Sequence, residues 1–222
     1  MRLATPHTSP ALPVPLGPPL EIVHSPLART TETARLVADA AAASEAFARP
    51  IPLRPDPRFK EIGQGEWEGL PGTEISERWG DVLAAWRRTP VEAHAPGGES
   101  LPEVRDRVRT GLADLLARLA HGAPRSAPEQ SQVLGYADAT VRQPWSILVA
   151  HDGLFKVALL TLFELPLERF WTFPFALCGI SVVEVRGGRP TLRAHNLTEH
   201  LAPLLEERAQ AVSEERERAG AL

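Results

Sequence analysis

A chain of 222 residues, 43% hydrophobic and 23% charged, carries enough apolar material for one decorated domain of α/β size. A formal net charge of -4 gives no reason to expect nucleic acid or an anionic membrane surface as partner, and no apolar run is long enough to span a bilayer. The single cysteine, Cys178, excludes an internal disulfide framework and fits a reducing, cytoplasmic compartment.

Residues 1–19 contain Pro6, Pro10, Pro13, Pro15, Pro18 and Pro19. Prolines at that density cannot ladder in a sheet, so an extended, mobile tail is expected. The run Leu20-Glu21-Ile22-Val23-His24 reads as a buried strand. Ser25 then stands where a helix N-cap belongs and Pro26 where the first helical residue belongs. A helix over 25–43 is predicted, with Ala28, Leu36, Val37 and Ala40 on its inner side. Its start offers unpaired backbone N–H groups, and Arg29 adds a guanidinium suited to gripping phosphate with two parallel bonds. Taken alone, the stretch is equally an ordinary strand-to-helix turn with a solvated arginine.

Residues 51–54 are predicted as a short edge strand, and 59–70, FKEIGQGEWEGL, as a loop of functional character. A helix is expected over 73–88, with Ile75, Trp79, Val82, Leu83 and Trp86 on one side. Pro96-Gly97-Gly98 breaks the chain. The clearest amphipathic helix follows over 99–120, with Leu101, Val104, Val108, Leu112, Leu115, Leu116 and Leu119 in phase. Residues 121–144 have no periodicity and are expected to form a long surface insertion, the natural place for substrate specificity. Residues 146–150 read as a strand buried on both faces, ending at His151. An apolar helix over 154–165, a hairpin about Gly187-Gly188 and a charged helix over 197–219 complete the chain.

The alternation predicts an α/β fold of three layers, helix on sheet on helix, with a mostly parallel sheet and one antiparallel strand. Residues 20–205 form its domain, between the lead at 1–19 and a helical tail at 206–222. Ligands of such sheets bind beyond the carboxyl ends of the strands. Two strands end there on polar residues, at His24-Ser25 and at His151. Alone, His151 would be a strand-end histidine bonded to a carbonyl; paired with Arg29 it points to phosphate binding or general base chemistry. Glu61, in the glycine-rich loop, is the candidate proton donor to a leaving alkoxide. Glu66 and Glu68 are expected to be solvated, Glu99 to complement a helix dipole, and Trp67 and Trp171 to pack. His195 and His200 lack the spacing of a helical metal pair, there is no Cys/His cluster, and there is no glycine-rich nucleotide loop. Neither a metal nor a cofactor is expected.

The motifs Ser25-Pro-Leu-Ala-Arg29-Thr-Thr-Glu-Thr33-Ala34, Glu61-Ile-Gly-Gln-Gly65-Glu-Trp-Glu-Gly69, Gly98-Glu99-Ser100 and Val149-Ala150-His151-Asp152-Gly153 come in an order that resembles the histidine phosphatase superfamily, the phosphoglycerate mutase-like proteins. Asn196-Leu-Thr198-Glu-His200-Leu201 resembles that family's C-terminus. The resemblance covers about residues 20–205. It implies Arg29 as a phosphate-binding arginine, Glu61 as the proton donor and His151 as a second histidine of the phosphate pocket. It also implies a small phosphorylated metabolite as substrate, and leaves a homo-oligomer open. Asp152 stands where glycine is commoner, and Lys156 where arginine is frequent.

The family's hallmark, a first strand ending in Arg-His-Gly with the nucleophilic histidine, is absent from this sequence. His7 lies in the proline-rich lead and His24 directly before Ser25; neither matches it. In the family that strand lies between those matching 147–150 and 180–185. Without it, either the two neighbours pair directly, or another segment fills the gap, or the sequence is an incomplete record of a longer protein. The last is the favoured expectation, because the later motifs look intact. The sequence as written is expected to be an inactive or truncated histidine phosphatase. The alternative is a non-catalytic phosphoryl-binding or interaction module, and mutase activity is a weaker rival.

Overall fold

The computed structural model describes residues 2–6, 8, 10–44, 47, 50–122 and 143–204. Three short parallel strands form its centre: β1 (Ile22–His24), β2 (Leu53–Pro55) and β3 (Ile147–Val149). They lie in the order β2-β1-β3, with Ile22 opposite Leu53 on one side and Ile147 on the other. Among the described residues four α-helices accompany them: α1 (Ala28–Ala42), α2 (Gly72–Arg88), α3 (Leu101–Gly122) and α4 (Asp152–Leu162).

Alternation along β1 divides the core. Ile22 faces one cluster with Ala34 and Ala41 of α1, Phe47, Ile51, Trp145 and Ile147. Val23 faces the other, with Phe59, Leu101, Val104 and Val108 of α3, and Leu154 and Val157 of α4. The result is the three-layer α/β arrangement that the alternation predicts. The buried face of α1 differs from expectation: Thr30, Ala34 and Ala41 are buried, whereas Leu36 is exposed. Small residues let that helix lie close to the sheet.

The last two strands, β4 (Ile180–Arg186) and β5 (Arg189–Leu197), pair with each other in a separate antiparallel sheet. Gly187 and Gly188, at φ 52° and 77°, make the left-handed turn between them. The antiparallel element is thus a hairpin of its own, rather than one strand of the main sheet. Among the described residues β3 ladders only with β1 and β4 only with β5, so direct pairing of β3 with β4 is not seen, nor does a described strand stand between them. As an edge strand, β3 leaves Leu148 and Val149 half-buried, where burial on both faces was expected.

Two further expectations are corrected. The lead does not stand off the domain: Ala4 and Leu12 are buried, Ser44 Oγ donates to the Ala4 carbonyl, and Trp145 Nε1 donates to the Gly17 carbonyl. Its prolines forbid a ladder but not packing against α1. Leu197 closes β5 instead of starting a helix, and the chain then passes through a 3-10 turn at Glu199–Leu201. The insertion at 123–142, His7 and the tail beyond 204 lie outside the described residues. Among those described, no helix is long and apolar enough to cross a membrane.

Candidate functional site

The chain leaves β1 through Ser25, whose amide donates to the Val149 carbonyl, while Asp56 donates to the His24 carbonyl. Ser25 is therefore held between the ends of β3 and β2, at the carboxyl edge of the sheet. It does not cap α1. The N-cap position falls on Leu27, which makes no side-chain cap bond, and the helix starts at Ala28. Thr30 instead bonds the Ser25 and Leu27 carbonyls with its hydroxyl. Ser25 itself is fully buried, and its Oγ lies 2.9 Å from His151 Nε2.

His151 follows β3 and is buried. Its other nitrogen, Nδ1, receives a hydrogen bond from Arg29 Nε at 3.2 Å. An arginine only donates, so Nδ1 is the acceptor and the proton sits on Nε2, pointed at Ser25. Burial, then the charges of Arg29 and Arg107, pull the ring down to about 4, so the imidazole is neutral at pH 7. The positively charged donor that sequence reasoning allowed for is not the resting state. No described residue accepts from Arg29 Nη1 or Nη2, and those N–H groups are available to an anion.

Glu61 lies in the loop after β2. Its Oε1 accepts from Ile62 N at 3.0 Å and from Leu154 N, in the first turn of α4, at 3.1 Å. Burial raises its pKa, the bonds from Ile62, Leu154 and Gly153 oppose that rise, and the Asp152 carboxylate reinforces it; the net direction is up. A carboxyl held in this way keeps its proton longer than a solvated one, as a proton donor requires. Arg29 and Glu61 line one cavity of about 480 Å³, together with Leu27, Gln64, Trp67, Glu68, Gly69 and Ile75. Glu66 and Glu68 are exposed and Trp67 is buried, as expected. Trp171 is half exposed, in contact with Trp86 and Phe170, and its ring lies under Lys156 Nζ at 5.1 Å. That ammonium also reaches Asp152 Oδ2 at 2.6 Å.

Glu99 does not serve the helix dipole. The cap of α3 belongs to Ser100 and Glu103, which bond one another through side chain and backbone. Glu99 turns back to accept from Gly63 N and pairs with Arg107. The Ser100-to-Glu103 spacing carries the signal that would have freed Glu99 from the capping role. Gly65, at φ 48°, lets the acid loop approach the turn at 96–98: a Cβ there would collide with the Pro96 carbonyl. Among the described residues no group of His, Cys, Asp and Glu is arranged to hold a metal. His195 instead packs edge-on against Phe173 and Phe175.

A family model described as the histidine phosphatase superfamily (branch 1) matches residues 16–123 and 130–198. Phosphoserine phosphatase 1 of Hydrogenobacter thermophilus is 23% identical over 197 residues, which is 87% of this chain and 78% of that protein. Glucosyl-3-phosphoglycerate phosphatase of Mycobacterium tuberculosis is 32% identical over 152 residues, 68% of this chain but 58% of its own length. A solved mycobacterial glucosyl-3-phosphoglycerate phosphatase, complexed with VO3, superposes with a TM-score of 0.62 at 26% identity, over 81% of this chain and 78% of that one. The match extends over well over half of the chain and spans the positions of Arg29, Glu61 and His151. This chain belongs to the histidine phosphatase superfamily, in its first branch.

Proposed function

We propose that this chain binds the phosphoryl group of a small phosphorylated metabolite between Arg29 and His151, with Glu61 as the proton donor to the departing alcohol. The observation that carries this reading is the bond from Arg29 Nε to His151 Nδ1, beside a cavity that Arg29 shares with Glu61. The free Nη1 and Nη2 groups of Arg29 suit two phosphate oxygens. A phosphate charge about 4 Å from the imidazole is worth about 4 kcal/mol at an effective dielectric near 20. That is enough to raise the midpoint of a ring titrating near 4 by about 3 units, so the ligand itself would make His151 a charged donor, with Nδ1 releasing the Arg29 bond as it takes the proton. Glu61, its pKa raised by burial, supplies the proton to the leaving oxygen.

The family reaction would pass through a phosphohistidine, and this sequence contains no Arg-His-Gly to supply the nucleophile. We therefore assign to the chain as written phosphoryl binding, with phosphomonoester turnover near background. The cytoplasm is the compartment in which this activity is expected. The test is thermal stabilisation by inorganic phosphate or vanadate, which Arg29→Ala should abolish, together with turnover of p-nitrophenyl phosphate. Absence of stabilisation overturns the binding site. Robust hydrolysis lost in His151→Ala overturns the assignment of near-background turnover.

A further inference from the structure

We infer that Arg107, locked by Glu99, is the positioning residue of the acid loop: it fixes the backbone that carries Glu61 and thereby sets where the proton donor stands. The inference rests on the reading of Glu61 as that donor.

Arg107 lies in the second turn of α3, and each of its five N–H groups has an acceptor. Nε and Nη2 grip the two oxygens of Glu99 as a fork, both at 2.8 Å. Nη1 reaches the carbonyls of Arg58 at 2.7 Å and Lys60 at 2.9 Å, and Nη2 also reaches the carbonyl of Glu61 at 3.1 Å. Glu99 completes the frame. Its Oε2 accepts from Gly63 N at 2.8 Å, and its own amide donates to the Gly63 carbonyl at 2.9 Å. Residues 58, 60, 61 and 63 are thus all tied to one guanidinium–carboxylate pair.

Anchoring α3 is not what this pair does. Leu101, Val104 and Val108 already bury that helix in the core, whereas three of Arg107's four bonding partners are carbonyls of the acid loop. Among the described residues that loop has only 3-10 turns, at Pro57–Phe59 and Gly65–Trp67, and no ladder to hold it. The fit also selects the residue type. Lysine offers three donors at one point and cannot span a carboxylate fork and three carbonyls at once. Burial pushes Glu99 up, but its bonds to Arg107 and the Gly63 N–H, together with the Arg107 charge, outweigh that and hold it below the ordinary carboxylate range, so the fork stays charged through neutral pH. A proton donor must be held to within about half an ångström of its working position. Glu61 Oε1 depends on the path of the backbone through 61 and 62 for its bond to Ile62 N and its reach to Leu154 N.

The experiment compares Arg107→Met, Arg107→Lys and Glu99→Gln with the full wild-type chain. The readouts are inorganic phosphate affinity by calorimetry and the Glu61 carboxyl titration by carbon-detected NMR. In Arg107→Met the Glu61 midpoint should fall toward the ordinary 4.5 as the loop opens to water. Phosphate affinity, which rests on Arg29, should stay within about twofold. Arg107→Lys should not restore the midpoint. Glu99→Gln, which keeps the guanidinium and its carbonyls, should give an intermediate shift, and it stands in if Arg107→Met does not fold. A wild-type Glu61 midpoint in the folded variants overturns the inference and leaves Arg107 a stability residue. Loss of phosphate binding in the wild type itself would instead count against the site reading, whatever the loop does.

Discussion

Arg29 donates from Nε to Nδ1 of His151 across 122 residues of sequence, and this single bond fixes the tautomer of the imidazole, with its proton toward Ser25. The consequence appears in stability. His151 titrates near 4 in the folded protein against 6.5 ordinarily, so between those values the unfolded chain binds the proton and the folded one does not. Stability is fully present above about pH 6.5 and is lost as pH falls toward 4, by on the order of 3 kcal/mol. Urea denaturation from pH 7 to 4 should show that loss in the wild type and a flatter profile in His151→Gln.

Ser25 Oγ is the only acceptor the structure gives His151 Nε2–H among the described residues. Ser25→Ala should cost about 1–3 kcal/mol, because it leaves a buried donor without a partner. The same variant should move the imidazole proton resonance of His151, seen in NMR of the folded protein, where a purely global destabilisation would leave it in place.

The two carboxyls of the acid loop and its frame carry opposite signs. Glu61 is raised by burial, so its contribution falls as pH rises through its folded value. Glu99 ends up lowered despite its burial, so its contribution is present above 4.5 and falls as pH drops. Glu61→Gln should therefore gain on the wild type as pH increases above 4.5, whereas Glu99→Gln should lose on it as pH rises toward 4.5 and run parallel to it above. Melting temperatures of the two variants across pH 3 to 8 check the two separate windows.

Gly153 stands where a Cβ would lie 2.8 Å from Glu61 Oε1 and 2.8 Å from Ile62 Cδ1. Gly153→Ala should cost about 1–3 kcal/mol through overpacking. It should also push the carboxyl away from the start of α4. Gly80, inside α2, has nothing within 4 Å of such a Cβ. Gly80→Ala should be neutral or stabilising by up to about 1 kcal/mol. Chemical denaturation of the pair separates crowding at the acid from a general effect of losing glycine.

Long-period patterns in the sequence carried over well into the structure. The phase of Leu101, Val104, Val108, Leu112 and Leu115 places α3, and Ile147-Leu148-Val149 places β3. Arg29, Glu61 and His151 stand out as candidates because each follows a strand end or lies in a glycine-rich loop, and the structure bonds Arg29 to His151 and sets Arg29 and Glu61 along one cavity. What was illegible depended on single turns and on partners distant in sequence. Ser-Pro at 25–26 has the composition of a helix cap, yet pairing to β3 keeps Ser25 extended and hands its hydroxyl to His151. Leu36 looked like core, but close packing of α1 on the sheet favours Ala34 and Ala41 there. Glu99 matched a dipole role by position, and only its bonds to Gly63 and to Arg107, eight residues on, show otherwise.

The hairpin of β4 and β5 shares no backbone ladder with β1 among the described residues, and its side chains are at most half-buried, whereas every residue of β1 is buried. Opening the hairpin therefore breaks no bond in the sheet that supports Ser25. In deuterated solvent the amides of Val182 to Val185 should exchange through local fluctuations long before those of Ile22 and Val23, which wait for global unfolding. Arg29 and His151 would then stay registered while the hairpin breathes.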